Sequence, residues 1–275
     1  MAICVLTEVS RKHQPDDIDA PVLYVEPTPP QFLPLRMNET LSIGPCMPGP
    51  GEIFVFRFRS QWQRVSAHDA ATWLTQDENR RAALLPSPAL RYRYISSRAV
   101  LRLAAARLLG CRPDAVDLRN DAKGRLYAQN ASGPAILCAD IAYAGVWIML
   151  GISANYLGLG TSLPAFKMTS GETPPSYSNS ATQNAVAFGK QRARDNSLLS
   201  ATGDLHAIEP SNTASRMTAP HSNPISDSAS SMSDTSGKPW YVSDLPMPGQ
   251  LCASVCSSTP LNTIQAFGWS KRNEA

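Results

Sequence analysis

Residues 87–110 read SPALRYRYISSRAVLRLAAARLLG, and no other stretch limits the fold of this chain as much. Ser87 offers an N-cap, and Pro88 suits the first helical position, where its missing N–H would have been unpaired anyway. Gly110 suits a left-handed C-cap, with Pro113 beyond it. The spacing predicts a helix from Pro88 to about Leu109. At 100° per residue, Leu90, Tyr94, Leu101, Ala104 and Leu108 fall on one apolar face, and Arg91, Arg98 and Arg102 project beside it.

Elements around this helix alternate between strand and helix. Ile53–Phe58 is aromatic and β-branched, as a strand prefers. Ser66-x-x-Asp69 and Thr75-x-x-Glu78 mark two short helices, over 67–74 and 76–85. Strand-like segments follow at 115–118, 126–128 and 136–141. Tyr143–Gly160 has 18 residues without a charge, the lower limit for a membrane span. Ser153-Ala154-Asn155 interrupts it, and no basic cluster flanks it, so the expectation is a buried β-hairpin joining 146–152 to 156–159. A last strand is expected within Trp240–Cys256. Trp62, Trp73 and Trp147 read as packing residues.

Composition divides the chain. Residues 1–51 hold nine prolines and little periodicity, and read as an extended or poorly ordered lead-in. Residues 52–160 carry the strand and helix signals. Residues 161–237 are dominated by Ser, Thr, Asn, Pro and Ala, and read as a low-complexity disordered segment, a long insertion or an out-of-frame translation. They dilute the charged residues to 17%, against a typical figure of about 25%. Residues 238–275 read as a C-terminal strand segment. The six cysteines form no C-x-x-C pair and the four histidines are isolated, which argues against a zinc site. The N-terminal residues lack the basic-then-apolar order of a secretory signal, so a reducing cytoplasmic location with free thiols is expected.

Net charge is only +3, yet 79–125 hold eleven Lys and Arg against three Asp. Two readings fit: a solvated helix face, or a site for a multiply phosphorylated ligand. Guanidinium forks match phosphate oxygens and stay charged at physiological pH. Lys123-Gly124-Arg125 adds a turn whose glycine would let backbone N–H groups approach an anion. No aromatic interleaving or groove-reading motif points to nucleic acid.

The order of four segments carries a resemblance: ISSRAVLRLAAARLLG at 95–110, KGRLY at 123–127, ADIAYAG at 139–145 and LGLGTS at 157–162. In that order and spacing the chain resembles the larger, two-half type of 4′-phosphopantetheinyl transferase. Members of that family show an Arg-rich helix ending near Leu-Gly and a Gly-Lys/Arg-Pro turn, then Phe-Asn-x-Ser-His-Ser and a hairpin ending in Gly-x-Asp-x-Glu. Trp240–Cys256 is similar to the family's C-terminal end, and the resemblance spans about half the chain. It implies an α/β (α+β) fold with a pseudo-twofold pair of α/β subdomains, the second half incomplete here. It also implies transfer of 4′-phosphopantetheine from coenzyme A to a serine of an acyl or peptidyl carrier protein. Arg93, Arg98, Arg102, Lys123, Arg125 and Tyr143 would then bind coenzyme A.

Departures from the pattern concern the metal. The family holds magnesium with the Asp and Glu of its Gly-x-Asp-x-Glu strand and a Glu on a later helix. The matching positions here are Gly160, Ser162 and Gln191, none of which supplies a carboxylate. Ala142-Tyr143 replaces the Ser-His pair at coenzyme A phosphates, and Asp140, a candidate surrogate ligand, stands where the family has Asn. The expectation is therefore a transferase with weak or no activity, no protein metal ligand and magnesium in doubt. The alternative is a non-catalytic module that binds a carrier protein.

Overall fold

The computed structural model describes residues 22–24, 30–34, 47–62, 66–163, 179–203 and 239–268. Two short strands, β1 (Val22–Tyr24) and β2 (Phe32–Pro34), precede β3 (Glu52–Arg59). Helices α1 (Ala67–Trp73), α2 (Gln76–Leu84) and α3 (Pro88–Leu109) follow. Next come β4 (Val116–Asn120), β5 (Leu126–Asn130), β6 (Ile136–Ala144), β7 (Trp147–Ser153) and β8 (Leu157–Ser162). The chain then supplies α4 (Asn179–Thr202), β9 (Trp240–Leu245), β10 (Cys252–Ser257) and β11 (Thr263–Gly268).

Both N-caps and the α3 boundaries follow the local code. The Ser66 side chain accepts from Asp69 N, and Thr75 with Glu78 closes a full capping box. Ser87 caps α3 and Gly110 ends it at φ 65°, the left-handed region that glycine enters without steric cost.

The strands form two sheets, which makes the protein a mixed α/β fold. The larger runs β2-β11-β3-β7-β6-β5-β4 and the smaller β1-β9-β10-β8. Within the larger sheet β11 is parallel to β2 and β3, and the remaining pairs are antiparallel. Strand alternation then builds the layers. Phe54, Phe56 and Phe58 of β3 pack with Val100, Leu101, Ala104 and Leu108 of α3. Ile53 and Val55, on the opposite face of β3, pack with Leu157, Leu159, Leu245 and Val255 of the smaller sheet. The far face of that sheet meets α4, where Ala201 packs with Trp240, Val242 and Cys256. The order is helix, sheet, sheet, helix, with β3 and β7 buried on both faces.

Three expectations are corrected. The chain from β7 to β8 is not a hairpin. β7 is already paired on both edges, with β3 and β6, so β8 crosses at Ser153–Asn155 into the other sheet and pairs with β10. Second, the low-complexity segment 161–237 contains a 24-residue helix, α4. Its small residues Ala193, Ser197 and Ala201 recur at every fourth position and are fully buried. They lie on Gly158 and Gly160 so closely that a Cβ on either glycine would collide with α4 backbone. The rest of 161–237, beyond β8, Leu163 and 179–203, lies outside the described residues. Third, two pieces of the Pro-rich lead-in are strands, β1 and β2, which add parallel edges to β9 and β11, while 1–21, 25–29 and 35–46 lie outside the described residues. The C-terminal segment holds three strands, among them β11, which lies beside β3.

The glycine contact is testable. Gly160→Ala must push α4 off β8, at a cost of about 1–3 kcal/mol for overpacking. That corresponds to a thermal midpoint lower by roughly 3–10 °C. A Cβ at Gly145 meets nothing within 4 Å, so Gly145→Ala carries only the positive-φ penalty, about 1–2 kcal/mol. Thermal unfolding followed by circular dichroism compares the two, and loss of helix signal is expected only in the first.

Candidate functional site

Cations of α3 part company as the helix is packed. Arg91 donates from Nε to Ala82 O at 3.2 Å and from Nη2 to Ala83 O at 3.3 Å, satisfying carbonyls at the end of α2. Arg102 is 1% exposed. Its Nη2 donates to Glu78 Oε2 at 2.8 Å and its Nη1 donates to Val116 O. Glu78 is itself buried and accepts from Thr75 N at 2.9 Å. Arg102 thus clamps α3 to α2 and β4. The expectation that it binds coenzyme A is corrected: desolvating a guanidinium without a carboxylate partner is too costly, so burial turned this arginine inward.

Arg93 and Arg98 take the other direction. Arg93 Nη1 donates to Gly145 O at 2.6 Å, and its guanidinium lies over the Tyr143 ring, 4.7 Å from the centroid. Tyr143 OH shares a 2.7 Å hydrogen bond with Ser97 Oγ. Burial raises the Tyr143 pKa, while the Ser97 hydrogen bond and the Arg98 and Arg93 charges oppose that rise. Arg98 sits over the Tyr94 ring at 5.5 Å. Its Nε and the Tyr94 OH are buried without a hydrogen-bond partner among the described residues. Arg93, Arg98 and Tyr143 are therefore brought together, with Tyr94 and Ser97 beside them. The helical pattern sets Tyr94 on the apolar face and gives no signal for Ser97, although Tyr94 and Arg98 are one helical turn apart.

Lys123 and Arg125 lie on the β4–β5 turn, and Asp121 organises it. Asp121 Oδ1 accepts from Lys123 N and Arg125 N, both at 2.9 Å, and Asp121 O accepts from Gly124 N at 3.0 Å. The backbone donors expected to face an anion are thus spent inside the turn. Asp121 Oδ2 takes Arg125 Nε at 2.7 Å and Tyr127 OH at 3.1 Å, and Arg125 stacks over Tyr156 at 3.9 Å. Burial works against the Asp121 carboxylate, but the Arg125 bonds and charge outweigh it and hold the pKa below the usual range. Arg125 is held in place by these contacts, whereas Lys123 is exposed.

Between this turn and α4 lies a cavity of about 170 Å³, lined among others by Lys123, Arg125, Asp140, Leu157, Ser200 and Gly203. Asp140 joins its walls. Its Oδ2 accepts from Leu159 N of β8 at 2.6 Å and from Ser200 Oγ of α4 at 2.5 Å, and its Oδ1 accepts from Ile141 N at 2.8 Å. Burial raises its pKa; the three donors and the Arg98 charge pull the other way without reversing it. With three donors on its two oxygens, Asp140 acts as a tie between the sheets, and the role of substitute metal ligand is corrected accordingly. Thiol chemistry is disfavoured as well: burial pushes Cys138 up to about 12 and raises Cys256 further.

The magnesium that the resemblance implies does not fit these residues. Gly160 faces α4, where any side chain would run into Ala193 and Ser197. Ser162 is neutral and donates to Leu163 O at 3.1 Å. Gln191 points along its own helix to Asp195 Oδ1 at 3.0 Å. α4 also sets Asn196 on β8, where its Nδ2 donates to Thr161 O at 3.0 Å. Among the described residues no group of three or more His, Cys, Asp and Glu side chains is placed to hold a metal ion. No described helix is long and apolar enough to cross a membrane.

No protein-family model matches this sequence, and no curated protein matches it.

Two outcomes follow from the buried charges. Arg102→Ala leaves Glu78 desolvated and unpaired, and is expected to cost about 3–5 kcal/mol in urea unfolding. Adding Glu78→Ala should cost much less than a second full increment, because the pair is coupled. For Asp140, the raised folded-state pKa means that the native chain binds more protons than the unfolded one above about pH 4. Its contribution to stability therefore falls as pH rises through that window. Urea unfolding of the parent chain and of Asp140→Asn should give a stability difference, parent minus variant, that declines from about pH 4 to about pH 7. A difference that rises with pH would contradict the assignment.

Proposed function

We propose that this chain is a coenzyme A-binding member of the phosphopantetheinyl transferase superfamily in which transfer to a carrier-protein serine is severely impaired. The resemblance of 95–162 to that family supplies the substrate class. The observation that carries the binding half is Arg93 over Tyr143 and, on the same helix, Arg98 over Tyr94, where Arg98 Nε and Tyr94 OH are buried without a hydrogen-bond partner among the described residues. A phosphate oxygen is the acceptor that suits both: it pairs with a guanidinium through charge-assisted bonds and takes a phenol proton. Arrangement of the chain is compatible with a pseudo-twofold ancestry, since each part sets one long helix, α3 or α4, on a largely antiparallel sheet.

The impaired transfer follows from the misfit of magnesium at Gly160, Ser162 and Gln191. Phosphoryl transfer depends on positioning and charge neutralisation, and the family obtains much of the latter from its metal. This favours the second reading, a module that keeps coenzyme A or a carrier protein bound without efficient turnover. The carrier is the acidic partner that the cationic end of α3 would dock. Four described cysteines are unpaired, in keeping with a reducing, cytoplasmic setting for such a partner.

Coenzyme A titrated calorimetrically into the full chain is expected to bind. Arg93→Ala and Arg98→Ala should each weaken it by about tenfold or more, the equivalent of one charge-assisted hydrogen bond. Mass spectrometry of an apo carrier protein incubated with coenzyme A and the chain is expected to show little or no phosphopantetheine adduct. Rapid, complete modification would overturn the impairment.

A further inference from the structure

We infer that this chain binds its polyanionic ligand without a divalent cation, the α3 guanidiniums providing the neutralising charge and the β8–α4 contact having closed the place of a metal. The inference rests on the coenzyme A reading above. A hard cation requires several oxygen ligands, carboxylates foremost, turned into one open space. Here the side of β8 that carries Gly158 and Gly160 has no such space, because it abuts the α4 backbone at Ala193, Ser197 and Ala201. The contact is closed along its length: the main chains meet so tightly that a carboxylate at 160 would have to displace the helix. Restoring one ligand by substitution would therefore damage the fold before it created a site.

Neighbouring carboxylates are spent in other ways. Asp140 is taken by Leu159 N, Ser200 Oγ and Ile141 N. Asp244 accepts a bidentate pair from Arg194, at 2.8 and 2.9 Å, with Lys190 Nζ at 3.7 Å. These groups satisfy donors of the protein and leave no lone-pair set converging on a point in the cleft. Arg93 and Arg98, by contrast, lie over the Tyr143 and Tyr94 rings without a carboxylate in those contacts, and their charge does not depend on pH or on metal supply. A ligand held this way responds to ionic strength, as exposed ion pairs do, and is indifferent to chelators.

The test compares calorimetric binding of coenzyme A to the full chain in magnesium buffer and in EDTA at matched ionic strength. Dissociation constants within about twofold of each other are expected, with Arg98→Ala weakening both by about tenfold, or 1.4 kcal/mol. A tightening of about tenfold or more in magnesium overturns the inference and leaves coenzyme A binding intact. Absence of binding in both buffers overturns the inference together with the functional reading. Manganese titration of the ligand-free chain, followed by electron paramagnetic resonance, provides a readout independent of coenzyme A. No stoichiometric manganese uptake is expected, and a one-to-one site would overturn the inference whatever the calorimetry shows.

Discussion

Close approach of two main chains, β8 and α4, organises the second half of this protein. Gly158 and Gly160 present no side chain, and Ala193, Ser197 and Ala201 present small ones, so helix and strand meet nearly backbone to backbone. β10 continues the same surface with Cys252, Ser254 and Cys256, all buried. Interiors are packed to crystal-like density, and a contact of this kind tolerates neither a gap nor an added methyl group. Its consequences reach the cleft. α4 is pinned at a height that brings Ser200 to Asp140 and Gly203 against the Lys123 carbonyl, and so sets the walls of the cavity. The same contact leaves no room for a side chain at position 158 or 160.

Cations on α3 illustrate how burial, rather than residue type, assigns a role. Arg102 and Arg98 are one turn apart and chemically identical. Arg102 lies under α2 and β4, where a charge is tolerated only with a carboxylate in hydrogen-bonding contact, and Glu78 supplies it. Arg98 is only partly buried, and its guanidinium lies over the Tyr94 ring. Asp121 does the same sorting on the β4–β5 turn. It consumes two backbone donors and one guanidinium, converting an apparent anion-binding turn into a self-contained knot.

Much of the first half was legible because its signals are local. N-caps at Ser66, Thr75 and Ser87, the left-handed Gly110 and the alternation of Ile53–Phe58 each act over a few residues, and each was realised. The candidate site was legible in part. Arg93, Arg98 and Tyr143 came together, while Arg102 and Arg125 were taken by Glu78 and Asp121. Nothing in an arginine's own sequence surroundings says which carboxylate will reach it from 24 residues away, as Glu78 reaches Arg102.

What the chain determines by itself is the position of its helix ends, its strand periodicity and the surplus of guanidinium groups between 79 and 125. Those follow from steric and capping preferences that every residue carries wherever it is placed. Tertiary structure alone decided that 179–202 is a helix, that β7 and β8 belong to different sheets, and which arginines are taken by the carboxylates of Glu78 and Asp121. In α4 the amphipathic contrast is weak because its buried face is made of Ala and Ser. Such a face gains little from leaving water by itself, and becomes stabilising only against a surface smoothed by Gly158 and Gly160 and by small residues such as Ser254 and Cys256, which lets dispersion contacts accumulate. That surface is assembled from β8, β9 and β10, drawn from both sides of the helix in sequence, so the information exists only once the chain has closed on itself.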